Sequence, residues 1–167
     1  MNLYHVAPHK NSPDMVYAVV EISKGTSAKY EYDPVIEAFK LDRCLNSAMV
    51  YTCNYGFIPS TKADDDDPLD ILIYNNTPIM RGTLVECNVI GVLDMTDQGK
   101  KDYKILATPC SHIKEYRCIH NDIDPMFLKV TKNFFKHYKD LENKKVEVGD
   151  WLDKAHAIDI INRDTTL

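Results

Sequence analysis

The sequence lacks the features of membrane, secreted and disulfide-stabilised proteins. No stretch approaches the run of about 18 apolar residues that a membrane-spanning helix requires. The first 14 residues carry charge and proline without an apolar core, so a signal peptide is not expected. The cysteines are five, an odd number, and form no CxxC pair, which argues against a disulfide framework or a zinc site. Reduced thiols in a cytoplasmic protein are predicted at Cys44, Cys53, Cys87, Cys110 and Cys118.

The sequence also lacks an excess of positive charge. Lys and Arg total 20 against 25 Asp and Glu, which gives a formal net charge of -5. Nonspecific binding to nucleic acid requires a basic surface and is therefore not expected. The motifs GxSxG, HExxH, GxxxxGK[ST] and GxGxxG are absent, so four common catalytic and nucleotide-binding sites are not indicated. An acidic protein that acts on an anion must neutralise its own field with metal ions or clustered cations.

The length predicts one domain. The 167 residues are 44% hydrophobic and 27% charged, as in ordinary globular proteins, and show no repeat or low-complexity linker. We therefore expect a single domain over residues 1–167.

The first two thirds of the chain are rich in strand patterns. Short β-branched, aromatic or alternating runs separated by turns predict strands at residues 16–22, 28–32, 39–43, 49–58, 70–74, 84–95 and 103–108. Gly91, inside the longest run, predicts a bulge or bend. Short strands separated by turns favour a small barrel over a parallel α/β sheet.

The last third has helical periodicity. Asp124 and Pro125 are typical of the N-cap and the first position of a helix. Apolar residues then recur at helical spacing, at Phe127, Val130, Phe134, Tyr138 and Leu141. A second, shorter helix is predicted to hold Leu152, Ala155, Ile158 and Ile161. The expected architecture is α+β, a β-barrel with helices packed on it.

An acidic run at residues 64–70 is the strongest local feature. Four consecutive aspartates are followed by Pro68, Leu69 and Asp70, and Asp70 opens a hydrophobic strand. Clustered carboxylates repel one another and are natural ligands of hard cations such as Mg²⁺. A solvated acidic turn is an alternative of equal weight. A calcium EF-hand is a poor match, because Leu69 and Asn75 stand where its loop needs Gly and Glu.

Paired charges occur at two further places. Lys29 and Glu31 are two residues apart, as are Asp102 and Lys104, so each pair is expected on one side of a strand. Asp97 and Asp102 flank a turn, for which solvated hairpin charges are the alternative. Cations and phenols in aromatic surroundings form another candidate set, for which core packing is the alternative: Arg43, Tyr51, Tyr55, Tyr138 and Lys139.

Residues 65–70 resemble the signature of family I soluble inorganic pyrophosphatases, D-[SGDN]-D-P-x-D. Further blocks resemble the family in the same order along the chain, at residues 20–22, 29–31, 42–43, 51–56, 91–93, 95–97, 102–104 and 134–141. The length is similar to the short bacterial type. The resemblance implies a five-stranded OB-like closed β-barrel with flanking helices. It implies hydrolysis of pyrophosphate to two orthophosphates, which keeps biosynthetic reactions that release pyrophosphate moving forward.

The resemblance also implies cofactors, partners and residue roles. It implies several Mg²⁺ ions per site, with Mn²⁺ or Zn²⁺ as substitutes, and a homohexamer, with no nucleic-acid or membrane partner. Metal ligands are expected at Asp65, Asp70, Asp97, Asp102, Glu31 and Glu21. Asp67 is expected to be the general base, and Tyr55, Lys29 and Arg43 are further catalytic candidates. Phosphate-binding groups are expected at Lys29, Arg43, Tyr55, Lys104, Tyr138 and Lys139, and Tyr51 has a less certain role in the site.

Asp66 departs from the commonest family residue, Gly, at a position that suggests a positive φ. We hypothesise that its charge slightly tightens metal binding. Two alternative functions stay open from the residues alone: a non-catalytic OB-like module that binds nucleic acid or another partner, and a structural cation-binding protein.

Overall fold

A computed structural model describes residues 1–111 and 119–166, with the side chain of His120 excepted. Cys118, one of the predicted thiols, lies outside the described residues. The strands are β1 (Met15–Ile22), β2 (Ala28–Asp33), β3 (Ala38–Cys44), β4 (Asn54–Phe57), β5 (Asp70–Ile73), β6 (Leu84–Asp97), β7 (Lys100–Lys101), β8 (Lys104–Pro109) and β9 (Val146–Asp153). The helices are α1 (Ile119–Asp122), α2 (Pro125–His137) and α3 (Lys154–Asp164), and 3₁₀ turns occur at Leu3–His5 and Asp140–Glu142.

Five strands pair in a closed ring. The order is β1, β4, β5, β8 and β6, and β6 pairs again with β1. All of these pairings are antiparallel except β5 with β8, which is parallel. Strands β7 and β9 extend the ring from β6, and β2 with β3 forms a separate two-stranded sheet.

The apolar residues of β5 are buried on both faces of the sheet. In β5, Ile71 and Ile73 join one apolar cluster, whereas Leu72 joins a second one. This alternation follows from the two-residue period of a strand. The first cluster includes Ala157 and Ile161 of α3. The second cluster includes Phe134, Phe135 and Tyr138 at the C-terminal end of α2. Helix α3 therefore covers one face of the sheet and α2 covers the other. The mixed α+β fold is confirmed.

Several local predictions are confirmed. Asp124 caps α2 by accepting a hydrogen bond from the Met126 amide, and Pro125 is the first helical residue. The pairing of β6 with β8 changes register between Val89 and Gly91, where the glycine was expected to mark a bulge. A Cβ at Gly91 would lie 2.6 Å from the Leu152 carbonyl oxygen, so β9 could not pack as closely against another residue.

Other predictions are wrong. Residues 49–53 are not a strand, because Tyr51 exchanges backbone hydrogen bonds with Gly25 and Thr26 in the turn that follows β1. Leu152 lies in a strand, β9, that was not predicted, and α3 begins after this strand. Val130 and Leu141 were assigned to the apolar helical face but are exposed. Within the described ranges, no helix is long and apolar enough to cross a membrane.

Candidate active site

The acidic run forms a tight loop between the buried residues Thr61 and Leu69. The Ala63 amide donates to the Asp67 carbonyl, and the Asp67 amide donates to the Asp65 carboxylate at 3.2 Å. The Leu69 amide donates to the Thr61 hydroxyl at 2.9 Å, which fixes the far end of the loop. Asp66 has a φ of 74°, the positive value expected from its place in the run, and its exposed carboxylate pairs with Lys62 at 2.8 Å.

The parallel pairing of β5 and β8 brings opposite charges together. Asp70 begins β5, Lys104 begins β8, and the two are direct partners in the register. The buried Lys104 ammonium lies 2.5 Å from the Asp70 carboxylate and 2.6 Å from the Asp102 carboxylate. It also donates to the Tyr55 hydroxyl at 3.3 Å. The predicted placement of Asp102 and Lys104 on one side is confirmed by this contact.

The Lys104 ammonium is thus shared by the Asp70 and Asp102 carboxylates, whose pKa values are shifted in opposite directions. Burial raises the pKa of Asp70 to about 7, although Lys104 opposes the shift. Burial acts in the same direction on Asp102, but there Lys104 outweighs it and holds the pKa below the ordinary value. A single cation does not fully compensate this pair of partly buried charges.

The two-stranded sheet contributes a second cluster. Lys29 pairs with Glu31 on the same face of β2, as expected, and lies 3.4 Å from the Asp42 carboxylate on β3. Arg43 donates to Asp42 at 2.6 Å and to Glu142, which is 99 residues away in the sequence, at 2.8 Å. Asp42 therefore links the two cations that the sequence predicted as phosphate ligands.

A third cluster follows α2. Lys139 pairs with Asp97 at the end of β6, and the neighbouring Tyr138 is buried. Glu21 of β1 is also buried, and its carboxylate accepts a hydrogen bond from the Tyr32 amide at 2.7 Å. Burial raises the pKa of Glu21 to about 8, with further contributions from Asp70 and Glu31.

These clusters face one cavity of about 750 Å³. Twelve of the predicted site residues line it: Glu21, Lys29, Glu31, Tyr55, Asp65, Asp67, Asp70, Asp97, Asp102, Lys104, Tyr138 and Lys139. Arg43 and Tyr51 are not among the lining residues, and neither are Asp64 and Asp66. The structure adds Tyr4 and Asp42, which were not among the predicted site residues. Asp42 could have been suspected from its place directly before Arg43, whereas Tyr4 reaches the cavity only through tertiary packing.

In the part of the chain that the structure describes, no group of three or more His, Cys, Asp or Glu side chains converges as a metal-binding cluster. Ammonium groups separate several of the carboxylates instead, as Lys104 does between Asp70 and Asp102. The wall of the cavity thus alternates anions with cations. Such a wall suits a small, highly charged anion that binds together with cations.

Comparison with known proteins agrees with this chemistry. The family model described as inorganic pyrophosphatase matches residues 18–166. The inorganic pyrophosphatase of Buchnera aphidicola is 42% identical over 167 residues, covering 96% of this chain and 95% of the relative. That of Campylobacter jejuni is 44% identical over 155 residues, covering 90% of each. The crystal structure of the Thermus thermophilus enzyme superposes with a TM-score of 0.94 at 35% identity, covering 99% of this chain and 97% of that one.

Fold and site together define a hydrolase of small phosphate compounds. The chain belongs to the inorganic pyrophosphatase family, as predicted. Membership confirms the predicted enzyme class, a hydrolase that cleaves the phosphoanhydride bond of pyrophosphate. The family is metal-dependent in general.

Proposed function

We propose that the described cavity is where this chain hydrolyses pyrophosphate to two orthophosphates, and that Mg²⁺ is the metal it uses. The observation that carries the proposal is the Lys104 ammonium, buried between Asp70 and Asp102 beside the Tyr55 hydroxyl. Charge of both signs is concentrated there at a cost that a purely structural site would not require.

The carboxylates fit a hard divalent cation. The Asp97 Oδ1 atom is buried and has no hydrogen-bond partner among the described residues. The pKa values of Glu21 and Asp70 are raised by burial and by neighbouring carboxylates, so negative charge in the cavity is incompletely balanced. Oxygen ligands of this kind are those that Mg²⁺ prefers. The residues that would hold the metal are Asp65, Asp70, Asp97, Asp102, Glu31 and Glu21.

When bound, Mg²⁺ would lower the pKa of a water molecule and neutralise charge on the phosphoryl oxygens. Asp67 is the proposed general base. Partial burial, followed by the effect of Asp65, raises the pKa of its carboxyl, which makes the carboxylate a better proton acceptor. Asp67 lines the cavity and is exposed, so it can orient a water molecule towards a bound phosphate.

Cationic and phenolic side chains provide the anion-binding part of the site. Hydrolysis of pyrophosphate requires positioning and charge neutralisation more than covalent chemistry. Lys29 of β2 and the buried Lys104 and Lys139 all line the cavity. The proposed phosphate ligands are Lys29, Arg43, Tyr55, Lys104, Tyr138 and Lys139. Tyr55 and Tyr138 stay protonated, because burial raises the pKa of each phenol.

Phosphate release from pyrophosphate, measured with purified protein in excess Mg²⁺ and in EDTA, tests the proposal. We expect turnover with Mg²⁺ and none in EDTA, and Mn²⁺ and Zn²⁺ are the first substitutes to compare. Asp67→Asn or Asp70→Asn should lower turnover at least about 100-fold. Asp64→Asn is the matched control, since Asp64 belongs to the same loop but does not line the cavity. Absence of turnover in excess Mg²⁺ would contradict the proposal, and near-normal turnover of Asp70→Asn would remove that residue from the site.

The proposal extends to the whole molecule. It includes an OB-like closed barrel, which the ring of five paired strands supports. It also includes one domain over residues 1–167, a cytoplasmic location, and a homohexamer by resemblance to the short bacterial type. Size-exclusion chromatography with light scattering tests the assembly.

A further inference from the structure

The Arg43 guanidinium is held on two sides. Its Nε donates to the Glu142 carboxylate at 2.8 Å, and its Nη1 donates to the Asp42 carboxylate at 2.6 Å. Its Nη2 is buried and has no hydrogen-bond partner among the described residues. A buried donor without an acceptor is costly, so a free Nη2 on a side chain that is bound to Asp42 of the cavity lining points to an acceptor outside the chain.

Glu142 comes from a distant part of the chain. It ends the 3₁₀ turn Asp140–Glu142, which directly follows Tyr138 and Lys139 of the cavity wall. Its amide donates to the Lys139 carbonyl at 2.9 Å, and its side chain is only 10% exposed. The contact with Arg43 spans 99 residues and ties β3 to the segment that carries Lys139.

The two carboxylates that bind Arg43, Asp42 and Glu142, differ in their position relative to the cavity. Asp42 lines the cavity and also lies 3.4 Å from Lys29, whereas Glu142 is not among the lining residues. Without Glu142, the guanidinium would keep Asp42 as its remaining charged partner and would turn towards it. With Glu142 on Nε, the planar fork has a fixed orientation, and its unpaired Nη2 is kept for another acceptor.

We propose that Glu142 is a positioning residue for pyrophosphate binding, which fixes Arg43 through Nε so that Nη2 meets a substrate phosphate. This inference rests on the proposed function of the cavity. It concerns substrate affinity more than the chemical step, because Glu142 itself does not face the cavity. A planar guanidinium binds phosphate well only when its orientation is right, and losing that orientation weakens binding.

A double-mutant cycle between Glu142→Gln and Arg43→Lys tests the inference in steady-state hydrolysis of pyrophosphate with Mg²⁺. In the otherwise native protein, Glu142→Gln should raise KM about 10-fold with kcat changed less than about two-fold, the effect of one misplaced charged hydrogen bond. In the Arg43→Lys background the same substitution should change KM less than about two-fold, because Glu142 then has no fork to orient. Glu147→Gln is the matched control, since Glu147 is exposed, pairs with the exposed Lys145 and does not line the cavity.

Each outcome decides one question. Equal KM effects of Glu142→Gln in both backgrounds, or none in either, would overturn the inference. If Glu142→Gln lowers Tm, Glu142→Asp replaces it in the same cycle, since it keeps the charge but withdraws the acceptor from Nε by one methylene. Absence of turnover by the unaltered protein would instead contradict the proposed function.

Discussion

Replacing Lys104 with Met should strongly destabilise the metal-free protein. Its ammonium lies 2.5 Å from Asp70 and 2.6 Å from Asp102, and its side chain is 3% exposed. Removing one partner of a buried ion pair costs about 3–5 kcal/mol, because the other charge stays buried and uncompensated. Two carboxylates lose their partner here, so we expect the free energy of unfolding to fall by at least about 3 kcal/mol near pH 8.

The loss should depend on pH in one direction. Burial already raises the pKa of Asp70 to about 7 while Lys104 opposes it, so the value must rise further in the variant. A carboxyl group whose folded-state pKa lies above its unfolded value stabilises the fold fully below the unfolded value. That contribution is lost as the pH rises through the folded value. The destabilisation should therefore be smaller near about pH 5.5 than near about pH 8.

Lys101→Met is the matched control. Lys101 pairs with Asp94 at 2.7 Å, a similar distance, but the two side chains are 43% and 33% exposed. An exposed pair contributes less than about 1 kcal/mol, so this variant should resemble the unaltered protein. Urea unfolding in EDTA, followed by the fluorescence of the single tryptophan, Trp151, gives both free energies. A Lys104→Met variant within about 1 kcal/mol of the unaltered protein near pH 8 would refute the reasoning.

Three further predictions follow from other parts of the structure. Gly56→Ala should destabilise the protein by more than about 3 kcal/mol in the same urea assay, because the added Cβ would lie 1.8 Å from the Val19 carbonyl oxygen; a loss below about 1 kcal/mol would contradict this contact. In the native protein a thiol reagent should modify the exposed Cys44 but not Cys53, whose thiol pKa burial raises to about 12; peptide mapping by mass spectrometry checks this, and equal labelling would argue against it. Asp66→Gly should shift the Mg²⁺ activation midpoint less than about two-fold, because the exposed carboxylate is already paired with a lysine; a larger shift in a Mg²⁺ titration of activity would favour the charge effect hypothesised from the sequence.

Sequence patterns predicted the ring strands well where each pattern matched its burial. The β-branched run at residues 16–22 became β1, and the apolar run at residues 84–95 became most of β6. The acidic loop and the two charged strand pairs were also found, since a strand places residues two apart on one side. Those features depend on local periodicity and on charge type, which the sequence displays directly.

The missed features depend on distant contacts. Strand β9 has no fully buried residue, and it is a strand because β6 offers a partner. Residues 49–53 have strand-like composition but do not form a strand. Tyr51 instead makes backbone hydrogen bonds with a turn about 25 residues earlier. Arg43 was predicted to bind phosphate, yet the contact that orients it comes from Glu142, 99 residues away. No local pattern encodes such a pair.

The ring of strands also bears on aggregation. Each of its five strands has a neighbour on both sides, so none offers a free row of backbone donors and acceptors to another chain. Within the described residues, the two-stranded sheet of β2 and β3 is the part that leaves open edges beside the cavity. That sheet carries dense charge, at Lys29, Glu31, Asp33, Lys40, Asp42 and Arg43. Charged side chains on an open edge discourage strand addition. Two of these residues, Lys29 and Arg43, bind the anion in our proposal and therefore also help to protect the sheet from pairing with its own copies.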